Sequence, residues 1–497
     1  MHTIGYDVGS SFVKASILDV EQGNVIAAAS YPDTEMEILS SERGWAEQHP
    51  EVWWDAVKQV TARVASKASV ALTEIQAVGI SYQMHGLVLV DKASTPLRPS
   101  IIWCDSRATE IGRKAFQEIG QNVCLEELLN SPGNFTASKL RWVKENEPFI
   151  YEKAFKALLP GDYIALRLTG DFKTTLSGLS EGILWNFRAH TLAGRLLQYY
   201  GLRKDLIADI APSIGVQGYL TDSAAMELGL KAGIPISYRA GDQPNNAFSL
   251  NVLEPGEIAA TAGTSGVVYA VSGSLNCDPQ SRINGFAHIN HTRDAPHIGI
   301  LLCINGTGIS NSWIRKLIGG SSLTYEEMNQ LASSTPIGSR GLIVLPFGNG
   351  AERMFCDKDI GALISRLNFN VHSKPEILRA IQEGVAFAFK YGLEIMQSLG
   401  IKARVLRAGA ANMFLSPVFC RTLASVAGLS IELYNTDGAQ GAARAAAVGA
   451  RLVPSMKEAF QGLQRIRIID PEKNSDDYAE AYRLWLEPLK LALSLSG

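Results

Sequence analysis

The sequence predicts an α/β protein of two domains, each presenting a phosphate-sized turn between two buried strands. Three observations predict it. The chain has 497 residues, too long for one core and suited to two domains of about 250. A glycine- and serine-bearing turn near the N-terminus is echoed half a chain length later. Neither turn is a P-loop, since no G-x-x-x-x-G-K-[ST] occurs in the chain, and Gly306-Thr307-Gly308 lacks the third glycine of a dinucleotide fingerprint.

The first turn lies within Thr3–Asp19. Ile4 and Tyr6 lead in, and Phe12, Val13, Ala15, Ile17 and Leu18 lead out, β-branched and aromatic enough for two buried strands. Between them Gly9 lets the backbone turn tightly and approach a ligand. Ser10 and Ser11 add hydroxyl donors beside free backbone N–H groups, which suits phosphate oxygens. Asp7 stands at the mouth of the turn, placed to hold a hydrated Mg²⁺, and Lys14 adds a cation nearby. An ordinary hairpin with an Asx turn fits this stretch alone equally well. The echo, Gly256–Gly273, carries Gly263, Thr264, Ser265 and Gly266 between two apolar strands. In the shared register Asp7 corresponds to Thr261, so the carboxylate belongs to the first copy alone. Two such turns look like a duplicated domain gripping one ligand from both sides.

Composition narrows the function. A net charge of −3 with 46% hydrophobic and 19% charged residues suits an ordinary enzyme. No basic stripe points to nucleic acid, and no apolar run reaches membrane-spanning length. Asp7 falls where a secretory leader needs unbroken apolar residues. The six cysteines (104, 124, 277, 303, 356 and 420) show no C-x-x-C pair, which predicts reduced thiols in a cytoplasm and no zinc site. The sequence leaves a homodimer open.

In chain order, a third strand over Asn24–Tyr31 precedes a helix near Glu51–Ser66, whose apolar stripe is read as Val52, Ala56, Val60 and Val64. Strand Ile75–Ser81 runs into the polar-aromatic patch Tyr82-Gln83-Met84-His85-Gly86, and Ile101–Arg107 carries Trp103, Cys104 and Asp105. Three strands, a helix and a strand are the order of the ribonuclease-H-like, actin-like ATPase fold, with a cleft between its two domains. Residues 108–235 read as mainly helical. Gly178-Leu179-Ser180-Glu181-Gly182 formally matches a nucleophile elbow, but the strand before it is weak and no helix start follows, so the match reads as chance. His288 and His291 lack a third ligand and read as structural. After strand Ile234–Arg239, Asp242 sits between Gly241 and the amides of Gln243, Asn245 and Asn246, either in the cleft or capping a helix over Asn245–Asn251. Farther on, Gly308 opens a helix and Pro375–Leu399 is a long one. Small residues around Gly409 and Asn412 suit a flat adenine ring or tight packing. A small-residue helix from Gly438 is expected to close the base of that pocket.

With these motifs in this order, the whole chain resembles the FGGY family of carbohydrate kinases. The resemblance implies domains at 1–247 and 254–497, with ATP and Mg²⁺ as cofactors and a small sugar as partner. It implies that Asp242 accepts the proton of the attacking hydroxyl and that Asp7 serves Mg²⁺. Thr264 matches a β/γ-phosphate contact, and Gly308, Gly409 and Asn412 match nucleotide contacts. Gln83, Met84, His85, Trp103 and Asp105 match the sugar wall, in wording most similar to the members that phosphorylate xylulose. Three departures stand out: Gly-Asp-Gln at Gly241–Gln243 for the family's frequent Gly-Asp-Asn, Cys104 where asparagine is common, and Arg-Ala-Gly-Ala-Ala-Asn at 407–412 for a run of glycines. Near its reference pKa of about 3.9, Asp242 is expected to take the proton late. Ribulose, fuculose or glycerol are alternative acceptors, and a sugar-independent ATPase is the alternative from another class.

Overall fold

The computed structural model describes residues 1–320 and 322–496. The chain forms two compact units. The first comprises Met1–Asn251, Phe286–Ile298 and Thr436–Leu463, and the second comprises Val252–Gly285, Gly299–Asn435 and Gln464–Gly497. A division near residue 250 is therefore present, but Thr436–Leu463, expected in the second domain, packs in the first. The physical reason is steric and appears below.

The first unit is built on a six-stranded sheet. Its strands are β1 (His2–Val8), β2 (Val13–Asp19), β3 (Asn24–Tyr31), β4 (Ile75–Tyr82), β5 (Ile214–Tyr219) and β6 (Pro235–Gly241), in the order β5-β6-β4-β1-β2-β3. β1 and β2 form the predicted antiparallel hairpin, with Asp7 opposite Lys14. β1, β4 and β6 run parallel, which sets Asp7 beside Ser81 and Ser81 beside Ala240. Ligands of open α/β sheets bind at the carboxyl ends of such strands. Asp7, Gln83–His85 and Asp242 all emerge there.

The helix Pro50–Lys67 buries Trp53, Trp54, Ala56, Val57, Val60 and Val64 against β2 and β3. Val52, read as part of its buried stripe, is 41% exposed. Four residues advance a helix by about 40° more than one turn, so a strict four-residue spacing drifts off the buried face. The helix Gly438–Gly449 packs on β1 and β4. A Cβ on Gly5 would lie 2.1 Å from the Ala439 carbonyl oxygen, and one on Gly79 would lie 2.1 Å from that of Ala442. Glycine in both strands admits the helix backbone directly onto the sheet. That fit draws the segment into the first unit.

The second unit repeats the scheme. Strands β7 (Glu257–Ala262), β8 (Gly266–Ser272), β9 (Asn284–Ala287), β10 (Ile298–Ile304), β11 (Val405–Gly409), β12 (Ile431–Tyr434) and β13 (Arg465–Ile469) lie in the order β9-β10-β8-β7-β11-β12-β13. β7 pairs antiparallel with β8 and parallel with β11, just as β1 pairs with β2 and β4. The duplication read from the two turns is thus a duplication of the sheet around them. The long helix Lys374–Ser398 packs on the strand Ile343–Phe347 and on the helix Pro417–Ala427.

Candidate active site

In the first unit the sheet register brings three loops together. Asp7 Oδ1 accepts a 2.8 Å hydrogen bond from Ser81 Oγ. Gly438 leaves room for this carboxyl at the start of its helix, where a Cβ would lie 2.4 Å from Oδ2. Burial raises the Asp7 carboxyl and the Asp437 charge adds to it, while the Ser81 bond and Lys14 pull it down. The turn behind it closes through Gly9 N–H donating to Phe12 O at 3.0 Å.

Asp242 is not itself a helix cap. It is the first residue of the helix Asp242–Ser249, with Gly241 as cap, so its side chain stands at the helix N-terminus. The expectation of an ordinary carboxylate pKa is corrected here. Burial, and then the charge of Asp7, push Asp242 up to about 7, against hydrogen bonds from Gln243. That value makes it a far better base for an alcohol than a free aspartate.

The patch after β4 is held in an unusual backbone. His85 has a φ of 62°, a left-handed conformation that only a supporting structure maintains. Lys139, fully buried, supplies the support: its Nζ donates to His85 O at 3.0 Å and to Ile102 O at 2.8 Å. Burial pulls the Lys139 amine down to about 7. The His85 ring packs edge-on against Phe135, and its Nδ1 lies 2.9 Å from Glu181 O. A carbonyl only accepts, so Nδ1 carries the hydrogen and Nε2 is left as an acceptor. Burial, helped by Lys139, lowers His85 to about 3, so the ring stays neutral. Met84 and Gln83 are buried beside it, and neither end of the Gln83 amide has a partner among the described residues.

Two members of the expected sugar wall sit differently. Trp103 is 53% exposed and donates to Ser10 Oγ at 3.2 Å, next to the phosphate turn. Asp105 is fully buried and saturated: Arg107 N–H, Arg107 Nε and Nη2, and Ala46 N–H all donate to it within 3.0 Å. No lone pair remains for a hydroxyl, so its place as a direct sugar contact is corrected. It fixes Arg107, whose guanidinium packs against the rings of Trp45 and Trp142. Ser180, of the formal elbow motif, is buried and its Oγ accepts from Ala287 N–H at 2.7 Å, so it offers no exposed nucleophile.

In the second unit the echo turn meets a helix start. Gly308 N–H donates to Gly263 O at 2.9 Å and Ile309 N–H to Thr264 O at 3.0 Å. A Cβ on Gly308 would come within 2.2 Å of the Gly263 oxygen, so only glycine permits the contact. Gly263, Thr264, Gly308 and Asn412 line one cavity of about 490 Å³. Ser265 and Gly409 do not line it. The expected pocket base does not either, since the helix from Gly438 packs on the first sheet instead. Sequence reasoning missed Asn311, Tyr325 and Asn329, which also line it. Their signal was modest: Asn311 lies one turn after Gly308, and Tyr325 and Asn329 share a helix face at i, i+4. Asn311 Oδ1 is buried without a partner among the described residues, an acceptor waiting for a donor. A larger cavity of about 700 Å³ elsewhere in this unit shares none of these residues, and within its lining Arg379 is paired with Glu383 at 2.7 Å.

A carboxylate with a raised pKa at a strand end, and a glycine-built turn lining a separate cavity, are the parts of a phosphotransferase. Residues 2–249 match the N-terminal domain of the FGGY family of carbohydrate kinases, and residues 258–450 match its C-terminal domain. The chain belongs to the FGGY family of carbohydrate kinases. As a carbohydrate kinase the enzyme takes a sugar and, as phosphoryl donor, ATP. It is 30% identical to the xylulose kinase of Escherichia coli K12, over 92% of this chain and 91% of that one. The xylulose kinase structure from Rhodospirillum rubrum superposes with a TM-score of 0.89 at 24% identity, covering 100% of this chain and 99% of that one. The gluconate kinase structure from Lactobacillus acidophilus gives the same TM-score at 23% identity and the same coverage. Equal likeness to two kinases of different names means that the shared fold does not choose the sugar. Among the described residues no helix is long and apolar enough to cross a membrane.

Proposed function

We propose that the enzyme transfers the γ-phosphoryl group of ATP to the terminal hydroxyl of D-xylulose, giving D-xylulose 5-phosphate in the cytoplasm. The observation that carries this reading is the common emergence of Met84-His85 and Asp242 from adjacent parallel strands, with His85 locked as a neutral acceptor. The likeness to the xylulose kinase of Escherichia coli supports the choice of sugar.

Phosphoryl transfer asks the protein for position and charge stabilisation more than for covalent chemistry. His85 Nε2 accepts from a sugar hydroxyl, Gln83 offers both ends of its amide, and Met84 gives an apolar wall. Asp242 orients the attacking hydroxyl and takes its proton. Gly263 and Thr264 bring backbone N–H groups and a hydroxyl to the phosphates, Gly308 lets the helix start lie against that turn, and Asn311 and Asn412 serve the nucleotide. The donor set also fits Mg²⁺. Among the described residues no cluster of three metal-binding side chains exists, and Asp7, a half-buried carboxyl with Asp437 and Asp242 nearby, suits an ion that keeps several waters and takes its other ligands from phosphates. Held through Asp7, Mg²⁺ would supply neutralisation of phosphate charge.

The test is ATP-dependent phosphorylation across D- and L-ketopentoses, ketohexoses, gluconate and glycerol, with Asp242→Ala beside the wild type. Turnover is expected to peak on D-xylulose and to vanish in the variant. A peak on another acceptor overturns the choice of sugar, and ATP hydrolysis indifferent to every acceptor overturns the kinase reading.

A further inference from the structure

Glu181 has no part in the mechanism above, yet it adjoins His85, Met84 and the residue that precedes Asp242. It ends the short helix Leu176–Glu181 and is fully buried. Neither carboxyl oxygen has a hydrogen-bond partner among the described residues. Burying a polar group unpaired costs on the order of 1–3 kcal/mol, so such a group asks for a reason.

Its surroundings give one. A Cβ built on Gly241 would lie 2.3 Å from Glu181 Oε2 and 2.5 Å from Met84 Cγ. The carboxyl and Met84 therefore flank the residue that precedes Asp242. The main-chain carbonyl of Glu181 holds the His85 ring at 2.9 Å. The Tyr82 hydroxyl, also buried and unpartnered, lies beside the carboxyl without a well-formed hydrogen bond. The titratable groups facing Glu181 are thus Tyr82 at the end of β4, His85 after it, Asp162 on the helix Pro160–Thr169, and Asp242 after β6. Burial, with the charges of Asp242 and Asp162, raises the Glu181 carboxyl well above its ordinary range against the pull of Tyr82. That favours the protonated form, an O–H donor beside a carbonyl acceptor.

We propose that Glu181 is a specificity-determining residue of the sugar site, whose carboxyl exchanges hydrogen bonds with one hydroxyl of the bound sugar. The inference rests on the sugar-kinase reading and extends it. A neutral hydroxyl supplies the donor and acceptor that the protein leaves unmatched. A sugar lacking that hydroxyl leaves the carboxyl as orphaned as it is in the free enzyme, and sites built to pair a hydroxyl reject such analogues.

The test pairs Glu181 variants with monodeoxy analogues of the best sugar. With wild-type enzyme, one analogue is expected to lose about 10–100-fold in kcat/KM relative to the parent sugar. In Glu181→Leu that penalty should shrink to about threefold or less, because the contact is already gone. Glu181→Gln, which keeps a donor and an acceptor, should retain most of the discrimination at a lower kcat/KM. Thermal melting of each variant reports folding separately. An equal loss in Glu181→Leu on the parent sugar and on every analogue, or discrimination unchanged from wild type, overturns the proposal while leaving the kinase reading intact. Wild-type enzyme inactive on every sugar overturns both.

Discussion

Gly438→Ala changes one hydrogen into a methyl group at the start of a helix, and the structure fixes what that methyl meets. Its Cβ would stand 2.4 Å from Asp7 Oδ2 and 2.6 Å from Asp7 Cγ. Ordinary contact begins near 3.4 Å, so the carboxyl must retreat by about 1 Å. A displacement of about 1 Å at a positioning group costs roughly 10²-fold in rate. The helix itself has little to lose, since alanine is favoured over glycine in helices by up to about 1 kcal/mol. The expectation is therefore a kcat lower by about 10²-fold with a melting temperature near wild type. A coupled assay of ADP release measures it, with Asp7→Ala and the double variant alongside. If Gly438 acts through Asp7, the double variant is no worse than Asp7→Ala alone. A Gly438→Ala enzyme within about threefold of wild-type kcat, or a double variant far below Asp7→Ala, refutes the reasoning.

Four further outcomes follow from the geometry. With Asp242 raised to about 7, kcat/KM should fall about tenfold per unit below that pH and level off above it, whereas a limb near pH 4 would speak against the raised base. The same shift means that ionising Asp242 costs stability as pH rises through its folded value, so Asp242→Asn should melt above wild type in alkaline buffer. Lys139→Met removes two ammonium hydrogen bonds to backbone carbonyls and the brace on His85; urea titration should show a loss of about 2 kcal/mol, and the sugar KM should rise about tenfold, an unchanged KM contradicting the bracing role. Asn311→Leu removes the unpaired acceptor in the second unit's cavity and should raise the KM for ATP about tenfold while leaving the sugar KM unmoved, which steady-state kinetics with each substrate varied in turn would check.

Much of this was legible in the residues because the signals are local. A glycine-serine turn between two β-branched runs specifies a hairpin within a dozen residues, and its repetition specified the duplicated sheet. Gly308 could be paired with Gly263 only by resemblance, yet both line one cavity. What stayed hidden depends on partners distant in sequence. Asp105 reads as a free acid until the cage of Arg107, Trp45, Trp142 and Ala46 is assembled around it. The raised pKa of Asp242 comes from burial and from Asp7, more than two hundred residues away. Glu181 hid inside a motif whose spacing suggested different chemistry, and nothing local marks a carboxyl that tertiary packing leaves unpaired. The helix from Gly438 was visible as a helix, but its docking on Gly5 and Gly79 is a contact across most of the chain.

That docking has a consequence for the life of the protein on the ribosome. Gly5 and Gly79 leave room on the first sheet that is filled by residues made hundreds of positions later. The first unit can begin to fold early but cannot finish until the helix Gly438–Gly449 has emerged. The turn that bears Asp7 is completed at that same moment. Products of aborted translation therefore carry an unfinished Asp7 site, and an N-terminal fragment ending at Asn251 exposes the sheet face that the late helix is made to cover.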